Sequence, residues 1–182
     1  MRTLPTVAAT VAALVASLVT SPAAVLAAEG ESVVSATVSF AALTVDQGSS
    51  TRSDQRDGQG ALVGVDYQRG FGDSFWLRVG VAGGALSVDG DGAQVAVGTV
   101  GLTYAVDILK YVPYVGIGAG AVLVGGGPLD THVDPVVDLA IGIEVQASRG
   151  FAYGIEARLE SFAAQTTLFV IGPRLVWKWG YF

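Results

Sequence analysis

The side chains that could do chemistry in this sequence are ten acids and bases, each set singly within an apolar stretch. In the segment DLAIGIEVQ, residues 138–146, Asp138 and Glu144 share one face with Ala, Gly and Gln, and Leu, Ile and Val occupy the other. A strict period of two is the pattern of a β-strand. Acids and bases on such faces can neutralise one another across a sheet, so ion pairing is the chemistry that they predict. The ten are Asp66, Arg78, Asp107, Asp138, Glu144, Glu156, Arg158, Glu160, Arg174 and Lys178.

Metal and cofactor chemistry is not predicted. The absence of Cys excludes disulfides and Cys-ligated metals. The sequence DGDG, residues 89–92, offers carboxylates that Ca²⁺ could use. It lacks the remaining ligands, and Asp together with Gly is typical of a tight turn. We therefore expect no metal, no cofactor and no catalytic residues.

These charged residues lie in eight predicted strands. Hydrophobic residues make up 51% of the chain and charged residues 14%. The apolar residues are dispersed in short alternating segments, and after residue 28 they form no run near the roughly 20 residues that a spanning helix needs. Two long polar connectors, 46–60 and 125–135, follow odd-numbered strands and therefore lie on one rim, as in outer-membrane barrels. The segments are residues 32–43, 61–68, 75–88, 97–108, 114–123, 138–146, 153–160 and 169–181.

The first residues are predicted to be a targeting segment. Met1 and Arg2 give a positive start, residues 4–19 are almost wholly Ala, Val and Leu, and VLAAEG offers small residues for cleavage. We interpret residues 1–27 as a cleaved secretory signal peptide and residues 28–182 as one β-barrel domain. The alternative is an N-terminal membrane anchor.

Aromatic residues cluster toward one end of the predicted strands, beside tight turns and at the end of the chain. Trp and Tyr favour the interface between membrane and water. The cluster therefore predicts the periplasmic aromatic girdle of a membrane barrel. The girdle is predicted to contain Tyr67, Tyr104, Tyr114, Tyr153, Trp177, Trp179 and Tyr181.

The polar strand faces indicate which side of the barrel is outside. They combine the charges with many small residues, including Gly116, Gly118 and Gly120, whereas Gly weakens a strand and is unusual on a water-exposed face. An eight-stranded barrel is narrow enough for side chains to fill it, and small residues on one wall make room for long ones opposite. We therefore predict that the ten charges neutralise one another in the lumen and that the apolar face meets lipid. The fold class is all-β, an eight-stranded antiparallel up-and-down transmembrane β-barrel.

The whole pattern resembles a known family. The signal peptide, the eight amphipathic strands and the closing LVWKWGYF, residues 175–182, are similar to the small outer-membrane barrels of Gram-negative bacteria. These are the family of outer-membrane protein X and of the transmembrane domain of outer-membrane protein A. The resemblance implies an outer-membrane location and recognition of the terminal Phe182 by the barrel assembly machinery. In the eighth segment Pro173 lacks a backbone donor, and we expect a local bulge there.

These observations predict a non-enzymatic integral outer-membrane barrel with a structural, envelope-integrity or surface-interaction role. The expected partners are outer-membrane lipids and lipopolysaccharide, and the barrel assembly machinery during biogenesis. We expect a monomer, and the net charge of −6 argues against nucleic acid.

Two alternatives remain open. The first is a barrel enzyme that modifies lipid A. Some such enzymes use His with Ser or Asp, and the one histidine, His132, lies in the sequence THVD, where Asp134 takes the place of the Ser in a His-x-Ser pattern. The second is a secreted soluble β-barrel that binds a hydrophobic ligand.

Overall fold

The computed structural model describes residues 30–49, 52–71, 74–106, 110–127, 129–162 and 166–180. The predicted signal peptide, Asp107, Tyr181 and Phe182 lie outside these residues. The described part of the chain contains no helix that is long and apolar enough to cross a membrane.

Eight strands form a closed barrel. Each strand pairs antiparallel with the next, and β8 pairs antiparallel with β1. The predicted eight-stranded up-and-down topology is confirmed. The strands are β1 (Ser32–Ser49), β2 (Arg52–Phe71), β3 (Phe75–Val88), β4 (Asp91–Ala105), β5 (Tyr111–Gly126), β6 (Leu129–Ser148), β7 (Phe151–Phe162) and β8 (Thr166–Trp179).

The barrel has two rims, which contain different strand ends and connections. The terminal rim contains the start of β1, the end of β8 and the connections after β2, β4 and β6, and the hairpin rim contains the other four connections. On the hairpin rim, Asp89 and Gly90 form a tight turn with φ angles of 53° and 90°. Two-residue hairpin turns need such left-handed conformations, which Asp and Gly tolerate. The DGDG sequence therefore builds a turn between β3 and β4.

The two connectors predicted to be long loops are mostly strand, so the predicted loops at 46–60 and 125–135 are wrong. The β1–β2 hairpin projects beyond β8, whose pairing with β1 ends at Val45. The β5–β6 hairpin projects beyond β7, whose pairing with β6 ends at Val136. Strands joined by backbone hydrogen bonds need an apolar face only where that face is buried or in lipid. Beyond the barrel wall a polar sequence therefore still forms paired strands.

Pro173 interrupts one ladder without shifting it. The pairing of β1 with β8 runs as far as Thr37–Arg174 and resumes at Phe40–Ile171 in the same register. The missing N–H of Pro173 explains the gap, and the bulge expected there is wrong because the register does not change.

The outer wall is apolar around the barrel. On β6 the outward side chains run from Val133 to Val145. At about 3.4 Å per residue and a strand tilt of about 40°, this stretch spans about 30 Å along the barrel axis. We call this surface the apolar belt. It includes Val38, Phe40, Val63, Val65, Leu77, Val100, Leu102, Val115, Ile117, Val137, Leu139, Ile141, Ile143, Ile155, Leu159, Phe169 and Leu175.

The interior has two main zones along the axis. Toward the hairpin rim it is packed with apolar side chains, which we call the apolar plug, and most of the buried charges lie between this plug and the terminal rim. The prediction that polar side chains fill the lumen is therefore wrong for the zone toward the hairpin rim. The plug consists of Ala41, Leu43, Leu62, Leu86, Val88, Ala93, Val95, Val97, Val122, Val124, Val136, Phe162, Leu168 and Val170.

Candidate functional site

The charged residues that the sequence places in the lumen, as far as they are among the described residues, lie together in one layer, which we call the ionic layer. Each of these sits at an inward position of its strand, because successive side chains of a strand point to opposite faces. The side chain of Lys178 is mostly buried and that of Asp107 lies outside the described residues. The other members are buried: Asp66, Arg78, Asp138, Glu144, Glu156, Arg158, Glu160 and Arg174.

One ion pair crosses the lumen between β3 and β6. The Nη2 atom of Arg78 donates to Oδ2 of Asp138, and both side chains are almost fully buried. Gly118 on β5 leaves the space that this carboxylate occupies, since a Cβ built at Gly118 would overlap Asp138. Gly118 on β5 thus makes room for the ion pair that Arg78 and Asp138 form from β3 and β6.

A second pair connects β2 with β7. Arg158 donates through Nη2 to Asp66 and through Nε to Oε1 of Glu156, the latter at 2.6 Å. Arg158 and Glu156 are two residues apart on β7 and therefore face the same side. Gly80 on β3 makes room for Asp66 in the same way, because a Cβ there would overlap the carboxylate.

A third group, nearer the terminal rim, centres on Arg174. Its Nη1 donates to Oε2 of Glu156 at 2.7 Å and to the hydroxyl oxygen of Tyr114 at 2.8 Å. The Tyr114 hydroxyl in turn donates to Oε2 of Glu156 at 2.8 Å. Glu144 lies 3.3 Å from Nζ of Lys178 and 3.7 Å from Nε of Arg174.

Tyr114 therefore belongs to the ionic layer, and its predicted place in the aromatic girdle is wrong. Its side chain is 6% exposed, and its guanidinium neighbour Arg174 lies 5.0 Å from the ring centroid. Tyr114 shares the inward face of β5 with Gly116 and Gly118, a parity that was visible in the sequence. Its nearness to a tight turn was the misleading signal.

The other members of the predicted girdle that are among the described residues lie on the outer wall near the terminal rim. Tyr104, Tyr153, Trp177 and Trp179 are exposed, and Tyr67 is half-buried with its hydroxyl 3.4 Å from Oγ of Ser32. Tyr181 lies outside the described residues.

His132 lies on β6 at the hairpin rim. Its Nε2 is 3.0 Å from Oδ2 of Asp134, and its side chain is 46% exposed. The apolar plug separates this pair from the ionic layer. Asp134, the predicted neighbour of His132, is thus in contact with it. Both side chains are partly exposed to solvent on the projecting β5–β6 hairpin.

The ionic layer is arranged to hold the walls together. Taking two charges out of water is costly, and mutual pairing with good geometry offsets that cost, so removing one partner of a buried pair costs about 3–5 kcal/mol. The two cavities beside the layer measure about 30 and 10 Å³, which is room for one or two water molecules in the larger and about one in the smaller. Together with the apolar plug, the described residues thus occlude the lumen.

No protein-family model matches the chain, and no curated protein matches it by sequence. Solved structures do match. Neisserial surface protein A (NspA) superposes with a TM-score of 0.65 at 9% identity, covering 81% of this chain and 97% of that one. OprG, an outer-membrane protein of Pseudomonas aeruginosa, gives a TM-score of 0.59 at 9% identity, covering 82% and 96%.

A third match is Ail, the attachment invasion locus protein of Yersinia pestis. Its TM-score is 0.55 at 11% identity, covering 84% of this chain and all of that one. At such low identity these likenesses establish the fold, and the resemblance to small eight-stranded outer-membrane barrels is confirmed at that level.

Proposed function

We propose that this chain is an integral barrel of the bacterial outer membrane with a structural, envelope-integrity or surface-interaction role and no enzymatic activity. One observation carries the proposal. The apolar belt faces outward all around a closed barrel, while the acids and bases of the ionic layer are sealed inside. In water, so large an exposed apolar surface would drive aggregation. In lipid it is the stable arrangement.

The dimensions of the belt support this location. Its height of about 30 Å is that of the hydrocarbon core of a bilayer. Barrel closure pairs the edge strands β1 and β8, and a spanning sheet must be closed because lipid offers backbone groups no hydrogen bonds. The same belt argues against a soluble carrier of hydrophobic ligands, whose apolar surface would line a cavity.

The two rims support an orientation. Exposed Tyr104, Tyr153, Trp177 and Trp179 ring the outer wall toward the terminal rim, as expected for the periplasmic interface. The projecting β1–β2 and β5–β6 hairpins would then extend from the cell surface, where lipopolysaccharide or a surface partner could contact them. We further propose that the protein is a monomer and that its C-terminal residues are recognised by the barrel assembly machinery.

Membrane fractionation tests the location. We expect the mature chain in the outer-membrane fraction after washing with high salt and with carbonate, and we expect its gel mobility to change only on boiling. A periplasmic protein in the same cells serves as the control for complete washing. Recovery of the chain with that control, in the soluble fraction, would contradict the proposal.

The occluded lumen supports a barrel that does not conduct ions. Planar-bilayer recordings of the purified protein should show no discrete conductance steps. Reproducible steps would mean that the ionic layer and the apolar plug open.

The enzymatic alternative has its own test. His132 lies within hydrogen-bonding distance of Asp134, so it is the residue to change. Under our proposal, lipid A is chemically the same in the wild-type strain, in a deletion strain and in a strain carrying His132→Ala. A lipid A modification that disappears with both changes would establish the enzyme instead.

A further inference from the structure

Two buried acids lie side by side where the ionic layer meets the apolar plug. Asp138 on β6 and Glu160 on β7 are register partners, and their side chains are 1% and 2% exposed. Like charges directly opposite each other on neighbouring strands destabilise a sheet. The repulsion is stronger inside a protein than at its surface, because little water is present to screen it. An arrangement with both carboxyl groups ionised is therefore unfavourable.

Only one of these two acids has a base as its partner. Asp138 accepts a hydrogen bond from Arg78. Among the described residues, no base forms an ion pair with Glu160. Arg158, two residues earlier on β7, donates instead to two other acids of the layer. A negative charge on Glu160 would thus have no direct counter-ion.

The remaining surroundings of Glu160 do not replace a counter-ion. Its register partner on β8 is Leu168, a member of the apolar plug. The cavity beside it measures about 10 Å³, which is room for about one water molecule. In this cavity β8 and β1 present Val170, Thr37 and Ser39, which carry no charge. The charged groups that face Glu160 are Arg158 and Glu156 on β7, Asp138 on β6, Arg78 on β3 and Asp66 on β2.

The charges of the ionic layer do not balance if every acid is ionised. Among the described residues, the layer contains five acids and four bases. Each of the other four acids forms an ion pair with a base at 3.7 Å or less. A buried charge without a partner is so costly that the group becomes neutral instead. Glu160 is the acid for which this applies.

Two carboxyl oxygens of this pair have no hydrogen-bond partner. They are Oδ1 of Asp138 and Oε2 of Glu160, and both atoms are buried. Two ionised carboxylates can only accept hydrogen bonds, whereas a protonated carboxyl group has one O–H to donate. A single proton on one of the two would therefore provide the missing donor and remove the excess charge.

We propose that Glu160 binds a proton at neutral pH and shares it with Asp138, so that the ionic layer is a proton-binding site without net charge. The hydrogen bond from a carboxylic acid to a carboxylate is of the strong, charge-assisted kind. Two adjacent acids that hold one proton between them behave as one titrating unit. The site depends only on the barrel interior, and it is independent of the proposed membrane location.

A bound proton makes the stability of the barrel depend on pH. In the unfolded chain Glu160 loses its proton near about pH 4.3. The folded barrel retains it, so above about pH 5 the folded state binds one proton more than the unfolded state. The folding equilibrium constant should then fall about tenfold for each unit of increasing pH, until the folded barrel releases the proton as well.

Glu160→Gln tests this dependence, because it replaces the acid with a neutral amide of the same shape. Wild type and variant would be unfolded with denaturant in detergent micelles between about pH 5 and pH 9. The ratio of their folding equilibrium constants, wild type over variant, should fall about tenfold per pH unit from about pH 5 and then level off. His132 and the other titrating groups are common to both proteins and cancel in the ratio.

Glu156→Gln is the matched comparison. Glu156 is also a buried, inward acid of β7, but it is paired with Arg158 and Arg174. At about pH 7, Glu156→Gln should lower the folding equilibrium constant, because it removes the charge from two ion pairs. Glu160→Gln should leave that constant unchanged or raise it.

Infrared spectroscopy detects the proton directly, since protonated and ionised carboxyl groups absorb at different frequencies. At about pH 7 the wild type should show the carbonyl band of one protonated carboxyl group per barrel, and the band should disappear as the pH is raised. Glu160→Gln should lack the band. Asp89→Asn, which replaces an exposed acid in the β3–β4 turn, should retain it. The wild-type band needs no variant, so the test remains decisive if Glu160→Gln does not fold.

The proposal fails if the wild type shows no such band at about pH 7. It also fails if the ratio of folding constants is independent of pH or rises with pH, since Glu160 would then be ionised in the folded barrel. A ratio that changes with the sodium concentration and not with pH would assign the site to a metal cation instead. Absence of the protein from the outer membrane would contradict the proposed function and leave this site untouched.

Discussion

Replacing Ile141 with Arg should destabilise the barrel in a lipid bilayer far more than replacing Val133 with Arg. Both residues are on the outer face of β6, and both side chains are 62% exposed. They differ in depth. Ile141 lies near the middle of the apolar belt, in register with Val115 and Ala157 on its two neighbours, and Val133 lies toward the hairpin rim.

The depth of each residue in the bilayer sets the expected loss of unfolding free energy. On the lipid face of an outer-membrane barrel, Arg costs about 2–4 kcal/mol at the bilayer midplane and about 0–1 kcal/mol near the interfaces. The difference between the two variants should therefore be about 2–3 kcal/mol, which corresponds to a factor of roughly 30–150 in the folding equilibrium constant. A barrel surrounded by water would show no such difference, since both changes replace an exposed aliphatic side chain with a charged one.

The assay is equilibrium unfolding by denaturant in phosphatidylcholine vesicles. Tryptophan fluorescence and the gel-mobility shift provide independent signals of folding, and the two variants serve as controls for each other. Equal losses of unfolding free energy, or no loss for Ile141→Arg, would refute the reasoning that the apolar belt faces lipid.

Three further predictions concern the interior, and all are read from the same unfolding experiment. Gly142→Ala should destabilise by about 1–3 kcal/mol through overpacking, because its Cβ would overlap the Tyr114 side chain; Gly98→Ala, whose Cβ meets nothing within 4 Å, should not. Tyr114→Phe should lower the unfolding free energy by about 1–3 kcal/mol, because Glu156 and Arg174 are both buried and each loses one hydrogen bond. An unchanged unfolding free energy would mean that water takes the place of the hydroxyl. Arg78→Met should lower the unfolding free energy by about 3–5 kcal/mol, because it leaves Asp138 buried and unpaired. Adding Asp138→Asn should recover much of that loss. Additive losses from the two substitutions would contradict the pairing.

Much of the ionic layer could be predicted because strand alternation is local. Asp138 and Glu144 lie on the same face whatever the rest of the chain does, and the opposing Ile141 then lies on the other. The glycine-rich face of β5 also predicted the space that the structure shows beside Asp138. Tyr114 could have been placed correctly by the same rule, since it shares its parity with those glycines.

The apolar plug was missed for a different reason. Leu43 and Val88 lie at the ends of the predicted segments, on the same faces as Ser35 and Arg78. Continuing the period of two as far as the hairpin rim would have placed these aliphatic side chains inside the barrel. Residue type alone does not separate the inward face from the outward face there, because both faces are aliphatic near this rim.

The sequence by itself determined the number of strands, the two faces of each strand and the inversion of apolar and charged surfaces, since these follow from a period of two in neighbouring residues. Only the tertiary structure decided which charges pair, how far the hairpins extend and where the lumen turns from ionic to apolar. Those properties depend on strand register and barrel closure, which bring residues such as Asp66 and Arg158 together from distant parts of the chain. Local alternation contains no information about which distant residue will lie opposite.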